Sequence, residues 1–158
     1  MIGLTIICVG KLKDRFCREG AEEYIKRLQR FCSLDIIELK DEPTKEGEKE
    51  QQAALKKEGE RILSRIPKNS YVISLCVEGR ELSSEDLSRK IESLTSAGES
   101  RLTFIIGGSA GLWEEVKKIS DFKLSFSKMT FPHGLMRVIL LEQVYRAFTI
   151  SSNITYHK

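Results

Sequence analysis

Phe104-Ile105-Ile106-Gly107-Gly108-Ser109-Ala110-Gly111-Leu112 runs from an apolar segment straight into a glycine-rich turn, and helical composition resumes at Leu112. A short, continuous apolar run predicts a strand buried on both faces, because a half-exposed strand would alternate apolar and polar residues. Here that strand is Leu102 to Ile106. The same unit recurs upstream. Ile2 to Val9 closes on Gly10 and leads into a helix over about Asp14 to Phe31, carried by Phe16, Tyr24, Leu28 and Phe31. A second strand is predicted over Leu34 to Leu39, then a loop from Asp41 to Gly47 containing Pro43. Glu48 to Ile66 reads as a helix that stops before Pro67, and Tyr71 to Val77 as a third strand. Ser83, with Asp86 three residues on, resembles a capping box and starts a helix ending near Gly98. Strands and helices in this alternation predict an α/β fold, a mainly parallel sheet with helices on both faces.

Downstream of the glycine turn the rhythm changes. A short helix is expected over about Leu112 to Ile119, a run over Phe122 to Ser127, a turn segment over Lys128 to His133 and a helix over Gly134 to Ile150. Eleven of the sixteen residues from Leu135 to Ile150 are apolar, more than the stripe needed to cover one sheet face. This helix must be buried on a second side, deep in the domain or against another subunit.

A chain of 158 residues forms one domain, and at this size folding buries roughly 70% of the unfolded surface without help from disulfides. Lysine and arginine number 26 against 23 acidic residues, a net charge of +3, with no basic tail. RNA binding, if present, falls to the core domain itself. Cys8, Cys17, Cys32 and Cys76 form no C-x-x-C pair, which disfavours zinc and suits a reducing cytoplasm. The start MIGLTIICVG is too short for a membrane span.

The glycine turn excludes two nucleotide motifs. A P-loop needs Lys and Ser/Thr directly after its last glycine, and Gly111 is followed by Leu112 and Trp113. A Rossmann fingerprint needs G-x-G-x-x-G at the first strand; this turn is late and spaced G-G-x-x-G. Taken alone, Gly107 to Gly111 is equally a plain strand-to-helix turn or a ligand loop. The segment Ser125-Phe126-Ser127-Lys128-Met129-Thr130-Phe131-Pro132-His133 adds a second loop after a strand in the same half. Two such loops at the carboxyl ends of neighbouring strands would form one crevice.

Three segments carry a resemblance: Phe104 to Leu112; Leu124 to His133; and Arg137-Val138 with Glu142-Gln143-Val144-Tyr145-Arg146-Ala147, ending in Tyr156-His157-Lys158. Together with Val9-Gly10-Lys11 and Lys57-Glu58-Gly59, they closely resemble the RlmH family, the pseudouridine-N3 methyltransferases of large-subunit ribosomal RNA. The resemblance spans essentially the whole chain. It implies a minimal single-domain SPOUT methyltransferase over residues 1–158, with a C-terminal trefoil knot and cofactor pocket at about 101–150. It also implies an active homodimer, S-adenosylmethionine as cofactor, and ribosomal RNA in the assembled ribosome as substrate. By position, the family's cofactor pocket would fall on Leu75, Gly107, Gly108, Phe126, Ser127, Lys128, Met129, Thr130 and Phe131.

Methyl transfer to a base nitrogen needs positioning and a group that handles the N3 proton. His133 is a turn residue or a proton-handling group at the pocket rim. His157 is an ordinary chain end or, as the family's tail implies, part of the partner's site together with Tyr156. Arg137 interrupts an apolar helix and should meet phosphate, carboxylate or carbonyl. These three are the catalytic candidates. Glu142 and Arg146 are expected to pair along the helix, and Trp113 to pack. Lys11, Lys13 and Arg15 are a solvated helix start or, at the carboxyl edge of the sheet, contacts to RNA phosphates. No metal site is expected. Two classes of activity stay open: a methyltransferase, and a non-catalytic RNA- or ribosome-binding dimer on the same scaffold.

Overall fold

The computed structural model describes residues 1–43 and 46–158; the expected loop Asp41 to Gly47 therefore lies partly outside the described residues. Ten elements follow in order: β1 (Ile2–Val9), α1 (Arg15–Leu28), β2 (Cys32–Leu39), α2 (Glu48–Arg65), β3 (Tyr71–Glu81), α3 (Ser84–Ser96), β4 (Arg101–Ile106), α4 (Glu114–Ile119), β5 (Phe122–Ser125) and α5 (His133–Ser151). The five strands form one sheet in the order β2-β1-β4-β3-β5, and every pairing is parallel. The capping box forms at α3: the Asp86 N–H donates to Ser83 Oγ, and the Ser83 N–H to the Asp86 carboxylate.

Alternate residues of the central strands feed two cores. Leu4, Ile6, Cys8, Leu102, Phe104 and Ile106 pack with α1, α3 and α5, whereas Ile7, Val9, Val72 and Ile105 pack with α2 and α4. Moves towards β2 run through α1 and α3 on one face, and moves towards β5 through α2 and α4 on the other. A single crossover hand requires this arrangement.

The apolar excess of α5 is explained inside the domain. The helix lies on the sheet between α1 and α3, so Leu140, Leu141 and Val144 are fully buried while Leu135, near its start, remains 36% exposed. Leu141→Glu is therefore expected to unfold the chain rather than split an assembly. An unpaired carboxylate in that position should cost about 4 kcal/mol or more. Denaturant titration followed by circular dichroism checks this; an unchanged midpoint would contradict the burial.

Strand β3 breaks its register. Leu75 and Arg80 both align with Leu124 of β5, so Cys76 to Gly79 leave the ladder and return. Gly79 permits the return, because a Cβ there would lie 2.8 Å from backbone atoms of Lys123. On the other face, Trp113 packs on the bare Cα of Gly59, whose Cβ would meet the indole at 2.5 Å, and this locks α4 onto α2.

Candidate functional site

The loops after β4 and β5 meet at the carboxyl end of the sheet, where parallel strands leave a crevice. One hollow is walled by Leu75 to Glu78, by Ile106 to Gly108 with Gly111 and Leu112, and by Leu124 to Ser127, Met129 to Phe131, His133 and Met136. Of the positions expected to bind cofactor, Leu75, Gly107, Gly108, Phe126, Ser127, Met129, Thr130 and Phe131 line it, whereas Lys128 is exposed and does not. Serines shape the second loop: Ser125 Oγ donates to the Ser127 carbonyl at 3.0 Å, and the Met129 N–H donates to Ser127 Oγ at 3.0 Å. The first loop is crowded, for a Cβ on Gly107 would lie 2.5 Å from the Gly111 carbonyl oxygen.

The hollow's charge is already spent. Lys117 is the one lysine or arginine on its wall among the described residues, and its Nζ sits 2.6 Å from Glu78 Oε1. That hydrogen bond holds the Glu78 carboxyl below the usual carboxylate range, while burial pushes the Cys76 thiol up, so it stays protonated. An apolar hollow bounded by glycines, with no free cation among the described residues to clamp phosphate, suits a nucleoside-like ligand that has no phosphate. This is the chemistry of the cofactor implied by the resemblance.

A second hollow lies beyond the shared residues Gly108, Gly111, Thr130, Phe131 and His133. It is further bounded by the β1–α1 turn and the start of α1, by Ser109 and the start of α5, and by Asp41, which with Asp14 adds two carboxylates to its wall. Lys11 and Lys13 line it; Arg15 points away and pairs with Glu19 at 2.8 Å. The imidazole of His133, the first residue of α5, thus stands on the wall common to an apolar hollow and a lysine-bearing one.

The other two catalytic candidates lie elsewhere. Arg137 is 5% exposed and lines neither hollow. Its Nη1 donates to Glu38 Oε2 at 2.5 Å and its Nη2 to the Gly10 carbonyl at 3.0 Å, which are the carboxylate and carbonyl a buried guanidinium calls for. His157 folds back on its own chain: its Nε2 is 2.6 Å from Glu85 Oε1 and its Nδ1 3.1 Å from Arg146 Nη1. Tyr156 donates to Glu142 Oε1 at 3.1 Å and meets the Tyr145 ring edge-on at 4.9 Å. Burial in this cluster pushes the Tyr156 phenol above its ordinary range. Neither tail residue lines either hollow of its own chain. Glu142 and Arg146 pair as expected, with Arg146 Nε 2.9 Å from Glu142 Oε1.

The wall residues Cys76, Val77, Glu78, Lys117 and Met136 are additions that the sequence reading missed. The signal available was the change from apolar to polar at Glu78-Gly79-Arg80, which marks an interruption of the strand, although not its return to the ladder.

A parallel sheet with glycine and serine loops at its carboxyl edge defines a class that binds its ligand there, and the comparisons give the class a name. The family described as "Predicted SPOUT methyltransferase" matches residues 2–157. Ribosomal RNA large subunit methyltransferase H 1 of Clostridium perfringens (strain SM101 / Type A) is 52% identical over 99% of this chain and 100% of its own. Ribosomal RNA large subunit methyltransferase H of Clostridium acetobutylicum is also 52% identical, with the same coverage. Among solved structures, a probable methylase family protein from Haemophilus influenzae Rd KW20 shares the fold at a TM-score of 0.55 and 14% identity, covering 99% of this chain and 71% of that one. The chain belongs to the SPOUT methyltransferases, and within them to the family of ribosomal RNA large subunit methyltransferase H.

Proposed function

We propose that the protein is an S-adenosylmethionine-dependent methyltransferase that acts on N3 of a pseudouridine in a large-subunit ribosomal RNA stem-loop. It works in the cytoplasm, on the assembled ribosome and as a homodimer. The observation that carries this reading is the place of His133, between an apolar hollow without a free cation among the described residues and a hollow bearing Lys11 and Lys13. When bound in the first, the cofactor supplies an electrophilic methyl group. Leu75, Gly107, Gly108, Phe126, Ser127 and Met129 to Phe131 would hold it there through apolar contact and backbone groups. In the second, Lys11 and Lys13 hold phosphates, which positions the RNA without reading its sequence. His133 accepts the N3 proton as the base is alkylated. Residues 1–158 act as one catalytic domain, with the trefoil knot over about 101–150.

Two features support the dimer. Phe16 and Leu135, 66% and 36% exposed, border the second hollow and present apolar surface that a second copy can cover. Tyr156 and His157 lie outside their own chain's hollows, so a site that uses them needs another subunit. Among the described residues, no helix is long and apolar enough to cross a membrane.

The deciding experiment is mass analysis of ribosomal RNA from a deletion strain. Loss of N3-methylpseudouridine, restored by the intact gene, is the expected outcome. An unchanged level refutes the enzyme and leaves the RNA- or ribosome-binding dimer.

A further inference from the structure

We propose that Arg137 and Glu38 form a positioning pair that fixes the His133 imidazole on the wall between the two hollows, acting through the Gly10 peptide. The inference rests on the reading that His133 takes part in methyl transfer. His133 and Arg137 are four residues apart on α5 and so share one helix face. Both meet the same residue across the gap to β1. Arg137 Nη2 donates to the Gly10 carbonyl at 3.0 Å. A Cβ on Gly10 would lie 3.6 Å from His133 Cε1 and 3.7 Å from Nε2, so the imidazole faces Gly10 across a gap that a methyl group would just fill.

Gly10 is held on its remaining side as well, since its N–H donates to the Leu39 carbonyl at 2.7 Å. Its φ of +93° is a conformation that other residues adopt only with strain. Gly10, the residue that the imidazole faces, is therefore fixed at its N–H by β2, at its carbonyl by Arg137, and in conformation by being glycine.

Stability alone accounts poorly for the guanidinium. It is 5% exposed, and its Nε is buried with no hydrogen-bond partner among the described residues. Such a group is costly to bury, and the attraction of Glu38, whose side chain is 37% exposed, is weakened by water. What a planar fork offers at this point is two bonds in fixed directions, one to Glu38 and one to Gly10, and a lysine ammonium cannot reproduce both. The fork ties the first turn of α5 to the ends of β1 and β2, and His133 starts that turn.

The test measures methyl transfer from S-adenosylmethionine to ribosomes of the deletion strain by wild type, Arg137→Gln, Arg137→Lys, Glu38→Gln, His133→Asn and the Arg137→Gln/His133→Asn double variant. Arg137→Gln is expected to lower kcat about 10- to 100-fold, leaving cofactor affinity by calorimetry within about threefold. Arg137→Lys recovers part of the loss, and Glu38→Gln loses less than Arg137→Gln. The double variant is no slower than His133→Asn alone, because a residue that acts through another adds nothing once that one is gone. The His133 ring Hε1 resonance, assigned against His157→Asn, should also shift in Arg137→Gln and Glu38→Gln.

Multiplying losses in the double variant, an unchanged kcat in Arg137→Gln, or an unmoved Hε1 resonance would overturn the proposal. If Arg137→Gln fails to fold, Glu38→Gln decides by the same readouts. If wild type transfers no methyl group, the function assigned to His133 fails, while the resonance still decides whether the pair positions the imidazole.

Discussion

Titrating S-adenosylmethionine into Gly107→Arg is expected to give no measurable heat, a loss of at least about 100-fold in affinity, or about 2.7 kcal/mol. The reason is local crowding. Even a methyl group at this position would lie 2.5 Å from the Gly111 carbonyl oxygen, 2.7 Å from its carbon and 3.0 Å from Leu112 Cδ2. None of these atoms sits at the tip of a flexible surface chain, so the loop itself must move. The arginine that follows enters an apolar hollow whose one carboxylate near a cation, Glu78, is already bonded to Lys117. Gly111 gives the contrast. A Cβ there meets nothing within 4 Å, and only its φ of +88° resists substitution, so Gly111→Ala should cost about 1 kcal/mol of loop stability and much less affinity. Melting curves separate loss of the pocket from loss of the fold. Equal cofactor binding by Gly107→Arg and wild type would remove this hollow as the cofactor site.

The second large effect tests the assembly. Chains lacking residues 156–158 and Gly107→Arg chains should each be inactive, for different reasons. After unfolding and refolding together in equal amounts, half of the dimers pair one chain of each kind. Each mixed dimer then holds one complete site, with the hollow from the truncated chain and the tail from the other. Activity should return to about one quarter of the wild-type level, the fraction that random pairing of a two-fold dimer sets. A mixture as inactive as its components would mean that the tail does not serve the partner's site.

The alternation of strand and helix was legible in the sequence because the central strands β1 and β4 are apolar through most of their length, and because α3 announces its start with a side-chain cap. The Ser83 capping box and the stop before Pro67 are each local in origin. Strand order was not legible: nothing in Phe122 to Ser125 tells that this segment lies beyond β3 rather than beside β4. The apolar excess of α5 posed a choice between a second subunit and its own domain, and contact with α1, α3 and the sheet resolves Leu140, Leu141 and Val144 into the domain. At the site, the two loops were readable from glycine and serine content, and eight of the nine expected pocket positions do wall one hollow. Arg137 shows the limit. Its need for a carboxylate and a carbonyl could be stated from its surroundings in sequence, but Glu38 and Gly10 are 99 and 127 residues away, a separation that only the fold brings to contact.

The central position of α5 also bears on how the protein is made. The helix follows all five strands in the chain, yet it fills the same core as Leu4 and Ile6 of the first strand. While the chain is being synthesised, α1 and α3 leave the strip of that face between them open, and the apolar rows there stay exposed until α5 emerges. Contacts between the two ends of a chain are slow to form, because the whole intervening loop must be closed first. Folding is thus deferred until α5 has been synthesised, and a nascent chain stalled before α5 would be a partly covered, sticky sheet in need of a chaperone.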